Sequence, residues 1–306
     1  MNIKKLSVAV SISILLIGHS VEAAENGMTA YMPGSSLYTG AAIPTIPGYF
    51  GEVIGNYTRY RKNNGPDGND SGQILNIDAY SLTFRGLWVT ETEILGAKLL
   101  HAGVLPIVYS EGTVPGDSAA GESGHTFTQG DISISPFILD WSLSEKYSIS
   151  AGLDISIPTG KYDKNEPINI GRNYWSLQPV MGFSYKNIQG SEFHALARLM
   201  FNTKNKETDY TTGNEFNADI SYGYNINDTY KLGFHGYIYK QLTDDKWADG
   251  TNIYLPSGFQ SESIGVGPAI TIKNGPAEFL VSWVKDIESK NRGQGSQIYL
   301  KTNFKF

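Results

Sequence analysis

Residues Ile298–Phe306 read IYLKTNFKF. Ile298, Leu300, Phe304 and Phe306 share one face of an extended chain, and Tyr299, Lys301, Asn303 and Lys305 share the other. Thr302 is the one small polar residue in the apolar row. A period of two marks a strand. Chain ends usually fray, so a strand that alternates to its last residue needs a partner that holds it there. In a soluble sandwich a last strand more often trails into a polar tail. In a membrane barrel it closes the cylinder against the first strand and stays paired to its end.

The opposite end has the character of an export signal. MNIKKLSVAVSISILLIGHSVEA carries a basic start (Lys4, Lys5), an apolar run from Leu6 to Ile17 and a small-residue site at Val21-Glu22-Ala23. The run is too short to span a bilayer, which separates a secretory signal from a membrane anchor. The expected division is 1–23 signal peptide, cut near Ala23, 24–47 N-terminal arm, and 48–306 barrel. Past the signal there is no apolar stretch of the roughly 20 residues a membrane helix needs. The 306 residues contain no cysteine, which excludes a disulfide framework and a thiolate metal site. A formal charge of −6 gives no support to nucleic-acid binding. The 34 glycines suit close backbone approach in sheets, and the 19 tyrosines suit a boundary between apolar and wet surroundings.

From Gly48 the chain breaks into about twelve alternating segments: 48–61, 75–89, 94–108, 128–142, 146–158, 173–186, 191–203, 214–225, 229–241, 259–273, 277–287 and 295–306. In YSISAGLDISIP, Tyr147, Ile149, Ala151, Leu153, Ile155 and Ile157 oppose Ser148, Ser150, Asp154 and Ser156. A sandwich shows the same alternation, and the connections separate the two. Short links (VTETEI, LSEK, KNIQG, NIND, KNGP) alternate with long ones (NNGPDGNDSGQ, SEGTVPGDSAAGESGHT, GKYDKNEPINIGRN, TKNKETDYTTG, LTDDKWADGTNIYLPSG, ESKNRGQG). Tight turns at one end and long polar loops at the other are the layout of an all-β, antiparallel transmembrane barrel, with periplasmic turns and extracellular loops. The closing strand, with Phe304 and Phe306 at its end, then carries the aromatic assembly signal of bacterial outer-membrane proteins.

Two places break the phase. In DISISPFILDWSL, Asp140 falls in register with Ile132 and Ile134 unless a bulge sits at Pro136. Lys285 shares a phase with Phe279, Val281 and Trp283, and 94–108 is equally ambiguous.

With the apolar rows on lipid, the inner face holds Glu52, Asn56, Arg85, Asp154, Gln178, His194, Arg198, Asp219, Lys231, His235, Lys301 and Lys305, with Tyr237 and Tyr239 among them. Both signs are present, where a ring of one sign would mark an ion-selective pore. Two readings stand: a paired network that partly fills a narrow barrel, or a route on which tyrosines contact an amphiphile and a few charges hold its polar head. His194 and His235 lack a ligand motif around them, so no metal and no cofactor is expected. A barrel lipase needs a nucleophile, base and orienting group in contact, and no local motif singles out a serine, so an enzyme is not expected. In GPDGNDSG, Asp67, Asn69 and Asp70 fall short of a calcium pattern. The arm AENGMTAYMPGSSLYTGAAIPTIPGYF is too Pro-rich for a membrane strand and too apolar for a disordered tail. It is expected to fold into the periplasmic mouth as a partial plug.

The blocks IPTGKYDKNEPINIGRNYWSLQPVMGFSY, FNTKNKETDYTTGNEF and YKQLTDD, with AENG near the start and PGYF before the first strand, resemble the MetA-pathway phenol-degradation family. That family includes proteins described as sphingosine-induced outer-membrane proteins. The likeness runs over nearly the whole mature chain; 62–73 and 247–256 are less recognisable. It implies an outer-membrane barrel that passes hydrophobic or aromatic compounds inward, and it carries no catalytic residues. The matching residues Lys161, Tyr162, Asp163, Asn169, Gly171, Arg172, Asn173, Tyr174 and Trp175 lie in one loop. They belong either to a gate or to a folded loop whose aromatic pair sits in the interfacial belt.

The expected protein is a monomeric outer-membrane channel of a Gram-negative bacterium for passive uptake of small hydrophobic, aromatic or amphipathic compounds. Its partners are the bilayer with its lipopolysaccharide, the barrel-assembly machinery and the compounds themselves, with no nucleic acid. The alternatives are a general aqueous porin and a structural or adhesive barrel acting through its loops.

Overall fold

A computed structural model describes residues 24–41, 43–44, 46–116, 118–246, 260–275 and 277–306. The expected signal segment, and most of the loop containing Trp247–Pro256, lie outside the described residues.

One antiparallel sheet accounts for the fold. Its segments are β1 (Gly48–Asn64), β2 (Asn76–Ile94), β3 (Ala97–Val114), β4 (Glu122–Gln129), β5 (Ile132–Ser142), β6 (Tyr147–Ile157), β7 (Ser176–Lys186), β8 (Ser191–Asn202), β9 (Glu215–Asn225), β10 (Tyr230–Gln241), β11 (Glu262–Asn274), β12 (Ala277–Lys290) and β13 (Arg292–Lys305). β1 pairs with both β2 and β13, and β2 also pairs with β3, so the sheet closes. β4 and β5 both lie against β3 and are separated only at Gly130-Asp131, so the thirteen segments make twelve wall strands. Closure pairs the edges that would otherwise stand open in hydrocarbon.

The opening stretch behaves as its alternation dictates. Ile298, Leu300 and Phe304 are exposed on the outside, whereas Tyr299 and Lys301 are buried within. Its partner is β1, with Ile54 opposite Lys301 and Phe50 opposite Lys305. The outward rows elsewhere are apolar and exposed as well, as at Leu82, Phe84, Met181, Phe234 and Trp283. Such an outer face matches lipid and not water.

The proline bulge forms. The β5–β6 register shifts between Ile134 and Phe137, which places Pro136 and Phe137 both outside and turns Asp140 inward, where it is buried. The Pro136 carbonyl meets the His101 Nδ1 at 2.7 Å, so a side chain takes up the acceptor that the ladder gives up. Lys285 faces outward with Phe279, Val281 and Trp283, toward the end where β12 meets β13. A long stem that can carry its charge toward an interface is the usual way a lysine is tolerated on such a row.

Three connections differ from the expected layout. The stretch VTETEI is not a loop: β2 runs on to Ile94, opposite Ala97, and the reversal is Leu95-Gly96, both at positive φ as a two-residue hairpin turn requires. SEGTVPGDSAAGESGHT is mostly a hairpin, because β3 continues to Val114 and pairs with β4. ESKNRGQG collapses to a single residue between β12 and β13, Asn291 at φ 51°. Backbone pairing extends wherever side chains on both legs permit it, and loop composition alone does not reveal that.

Candidate functional site

The arm that precedes β1 lies inside the barrel. Beginning at the loop end, Glu25 Oε1 accepts from the Tyr162 hydroxyl at 3.1 Å and from Thr208 Oγ1 at 2.7 Å, and both its oxygens accept from Asn205 Nδ2. At mid-height Asp219 accepts from the Tyr31 hydroxyl at 2.5 Å and from the backbone N–H groups of Gly34 at 2.9 Å and Ser36 at 3.0 Å. The Arg198 guanidinium lies 3.5 Å from the centre of the Tyr31 ring. Lys301 Nζ donates to the Leu37 carbonyl and to Thr39 Oγ1. At the turn end the Ala41 N–H donates to Ser184 Oγ at 2.8 Å. Leu37 completes an apolar core with Ile54, Met200, Tyr237, Tyr239, Leu280, Val284 and Tyr299. The described residues of the arm contact wall groups from the turn end, at Ser184, through Asp219 to the loop end, at Asp245. Short turns within the arm satisfy some of its backbone groups, as where the Gly27 N–H donates to the Ala24 carbonyl, and wall residues at successive heights take up others, a match invisible in the arm's own composition.

The inward charges form three groups. In the middle, Glu52 pairs with Arg85 at 3.2 Å and with Lys301 at 3.0 Å, and Arg198 pairs with Asp154 at 3.2 Å and donates to Gln178 at 2.7 Å. Toward the turn end, Lys231 pairs with Glu192 at 2.6 Å, and Glu192 lies 3.6 Å from His194. Toward the loop end, Tyr237 donates to Asp286 and Tyr239 to Glu215, each at 2.6 Å, and Arg292 lies over the Tyr239 ring at 4.4 Å. Asn56 is buried and donates to the Ile298 carbonyl. Lys305 stands apart at the exposed rim, with Nζ 5.7 Å from the Phe50 ring. His194 and His235 do not meet: the first contacts Ser184 at 2.8 Å and the second Ser282 at 3.1 Å. Among the described residues no cluster of three or more metal-ligating side chains occurs.

Ser184, His194 and Glu192 come together as a hydroxyl, an imidazole and a carboxylate. Ser184 is buried, however, and its oxygen already accepts the Ala41 N–H, while Glu192 is engaged by Lys231. The cluster fastens the arm.

The loop 158–175 folds inward. Asp131, set at the break between β4 and β5, accepts from the Gly160 N–H at 2.8 Å through one oxygen and from the Arg172 N–H at 2.8 Å through the other. Asn169 accepts from the Asp163 N–H and donates to the carbonyls of Asp163 and Glu166. Gly171 donates to the Lys161 carbonyl. Asn173, at φ 58°, donates to Asn205. Tyr174 is buried, and burial pushes its hydroxyl above the ordinary range; Trp175 is exposed at the outer surface. Tyr162 is pushed up to about 12 by burial and by the neighbouring Glu25 carboxylate. In GPDGNDSG, Asp67 accepts from Asn69 through both oxygens and Asp70 Oδ1 accepts from the Gly72 N–H. Hydrogen bonds from Asn69 hold the Asp67 carboxyl below its usual range.

Between the arm, this loop and the inner face of β1–β6 lies a cavity of about 460 Å³. Ile54, Ile77, Val104, Val108, Ile138 and Ile168 supply apolar wall, and Glu52, Arg85, Asp154, Arg172 and Arg198 stand at its border. Of the inward residues expected from sequence, Glu52, Asn56, Arg85, Asp154 and Arg198 touch this space, whereas Gln178, His194, Asp219, Lys231, His235, Tyr237, Tyr239 and Lys301 do not line it. Asp131, Ser184, Glu192, Glu215 and Asp286 join the site beyond the residues expected from sequence. Glu192 and Glu215 share a strand phase with His194 and Asp219, which was the available signal. Asp286 was hidden by the ambiguous phase of 277–287.

The chain is similar in structure to an outer-membrane channel from Pseudomonas putida F1, with TM-score 0.73 at 15% identity, covering 90% of this chain and all of that one (100%). A weaker likeness links it to the transport unit of the autotransporter AIDA-I from Escherichia coli, with TM-score 0.49 at 10% identity over 89% of this chain and 94% of that one. No curated protein matches. Residues 61–302 match the family described as "Putative MetA-pathway of phenol degradation", and at that coverage the chain belongs to this family.

Proposed function

We propose that the protein is a passive outer-membrane channel for small hydrophobic, aromatic or amphipathic molecules, with turns in the periplasm and loops outside. The observation that carries this reading is the cavity of about 460 Å³ beside the arm. Its size is that of a small-ligand site, and mostly apolar walls with a few placed polar groups are the usual make-up of such sites. The arm takes up lumen that a general aqueous porin would leave to water, and its own bonds to the wall hold it there. Passage then means binding weak enough to release. Family membership and the likeness to a channel support the same reading, as does the outer apolar band. The bilayer with its lipopolysaccharide, and assembly through the closing strand, follow as surroundings for a monomer. The arrangement at Ser184 favours a channel over a lipase, since its hydroxyl is engaged by the arm.

Single-channel recording of the refolded protein at high salt and neutral pH tests the reading, together with uptake of an aromatic probe into liposomes. Small or absent ionic steps with probe uptake are expected. Filling the cavity with Ala79→Trp or Val108→Trp, both at its wall, should cut uptake while the barrel still folds. Steady steps of general-porin size, or uptake indifferent to both substitutions, would overturn it.

A further inference from the structure

The first residue of the arm is bound as if it were a ligand. The Ala24 nitrogen donates to Asp245 Oδ2 at 2.9 Å. That carboxylate also accepts from the Tyr210 hydroxyl at 2.6 Å, from the Gly213 N–H at 2.7 Å and from Gln241 Nε2 at 2.7 Å. Asp245 is 0% exposed and Ala24 2%. All four of these donors are neutral while Ala24 is joined to a preceding residue. A buried carboxylate held by neutral donors alone bears a large desolvation cost, and such charges are ordinarily paired.

A second observation bears on the same bond. Ala24 has φ 54° and ψ 122°. For a residue with a side chain, positive φ brings Cβ against the preceding peptide unit and is disfavoured. The restriction exists only if a preceding peptide exists. In a chain that starts at Ala24, rotation about N–Cα turns an ammonium group, and the conflict is gone. The sequence places its small-residue cleavage site, Val21-Glu22-Ala23, immediately before this residue.

We propose that removal of the export signal after Ala23 creates the counter-ion of Asp245, so that only the processed chain locks its arm at the loop end of the barrel. A signal peptidase would hydrolyse the Ala23–Ala24 peptide bond: water adds, Ala23 leaves with the new carboxylate, and the α-amine of Ala24 takes up a proton. The ammonium then faces Asp245 in place of a peptide N–H. Capture of an N-terminal amine in a prepared pocket is a known recognition mode. Here the pocket is built from Tyr210 and Gly213, between β8 and β9, and from Gln241 and Asp245, at and just past the end of β10, and the captured group belongs to the same chain. Glu25, gripped one residue later by Tyr162, Asn205 and Thr208, sets the register of that docking. The inference is independent of what the channel carries.

The test uses the protein purified from membranes. Intact mass and terminal sequencing should give Ala24 as the first residue; a different start overturns the proposal. Acylation of the α-amine by an N-hydroxysuccinimide ester at neutral pH, read by peptide mass spectrometry, should run at least tenfold slower in the folded native chain than in Asp245→Asn. Because that substitution could impair folding, a second variant inserts Gly-Ser between Ala23 and Ala24 and leaves Asp245 intact. Proteolysis of its arm should be at least tenfold faster than in the native chain, and the two changes combined should be no worse than either alone. Equal acylation rates, an extended chain as resistant as the native one, or effects that multiply would each overturn the pairing. None of these readouts involves transport, so they stand or fall apart from the channel function.

Discussion

The Tyr31 hydroxyl donates to Asp219 at 2.5 Å while the Tyr31 ring lies 3.5 Å beneath the Arg198 guanidinium. One arm residue thereby joins an acid on β9 to a base on β8, and the base is itself paired to Asp154 on β6. A buried cation over an aromatic face contributes about 2 kcal/mol, and each hydrogen bond to a charged acceptor about 1.5–3 kcal/mol. The arm is thus held by interactions that the closed wall does not itself need.

Replacing Asp219 should free the arm before it unfolds the barrel. Asp219→Ala removes the acceptor for Tyr31, Gly34 and Ser36 together. Single-channel conductance should rise severalfold and arm proteolysis should quicken, with little change in the heat-modified gel shift of the barrel. Conductance equal to that of the native protein would show that the arm does not limit flow.

Gly40→Ala should displace the lower part of the arm. Gly40 has φ +41°, and a Cβ there would stand 2.6 Å from the Phe183 carbonyl and 2.8 Å from Ser184 Oγ. Backbone on one side and a bonded hydroxyl on the other leave no room, so the Ala41–Ser184 hydrogen bond should be lost. A crystal structure or amide exchange at Ala41 checks this; unaltered protection there would refute it.

Lys301→Met should weaken the seam between β1 and β13. Lys301 joins Glu52 to the Leu37 carbonyl and Thr39. Glu52 keeps Arg85, so the loss should be that of a satisfied partner, about 1–3 kcal/mol, read as a lower midpoint in urea unfolding from liposomes. A midpoint unchanged in Lys301→Met would show the seam indifferent to this contact.

The extended and processed chains should differ in their response to pH. Burial raises the Asp245 carboxyl, and Tyr210 beside it is pushed up by burial first and then by that carboxylate, with Glu25 adding to the same effect. An acid whose folded pKa is raised contributes full stability below its unfolded value, about 3.9, and loses it as pH climbs toward the folded value. With a Gly-Ser extension, arm protection should therefore fall as pH rises above about 4. With a free ammonium the carboxylate is paired, and protection should persist until the amine loses its proton, above its ordinary value of about 7.7–8.0. Protease accessibility measured from pH 4 to 9 on both chains decides the matter, and coincident profiles would count against the ion pair.

Much of the wall was legible because a period of two has only two outcomes. In IYLKTNFKF the side that holds Ile298 and Leu300 must be apolar if it meets lipid, and Tyr299 and Lys301 then point inward whatever the neighbouring strands do. The slip at Pro136 was equally plain, since only an extra residue returns Asp140 to the inner row. Lys285 was harder: its depth along the strand decides whether a charge on the outer row is tolerable, and depth is not written in a local pattern.

The amino-acid sequence determined, by itself, an antiparallel barrel wall, its inner and outer rows and the two unlike ends of its connections, because strand periodicity and turn chemistry act between near neighbours in the chain. Only the tertiary structure decided which inward groups meet. Tyr31 finds Asp219 across 188 residues and Ala24 finds Asp245 across 221, and such contacts depend on the closure of the sheet and on the height at which each strand crosses it. Where the arm travels, and which carboxylates remain for it to bind, follow from that closure.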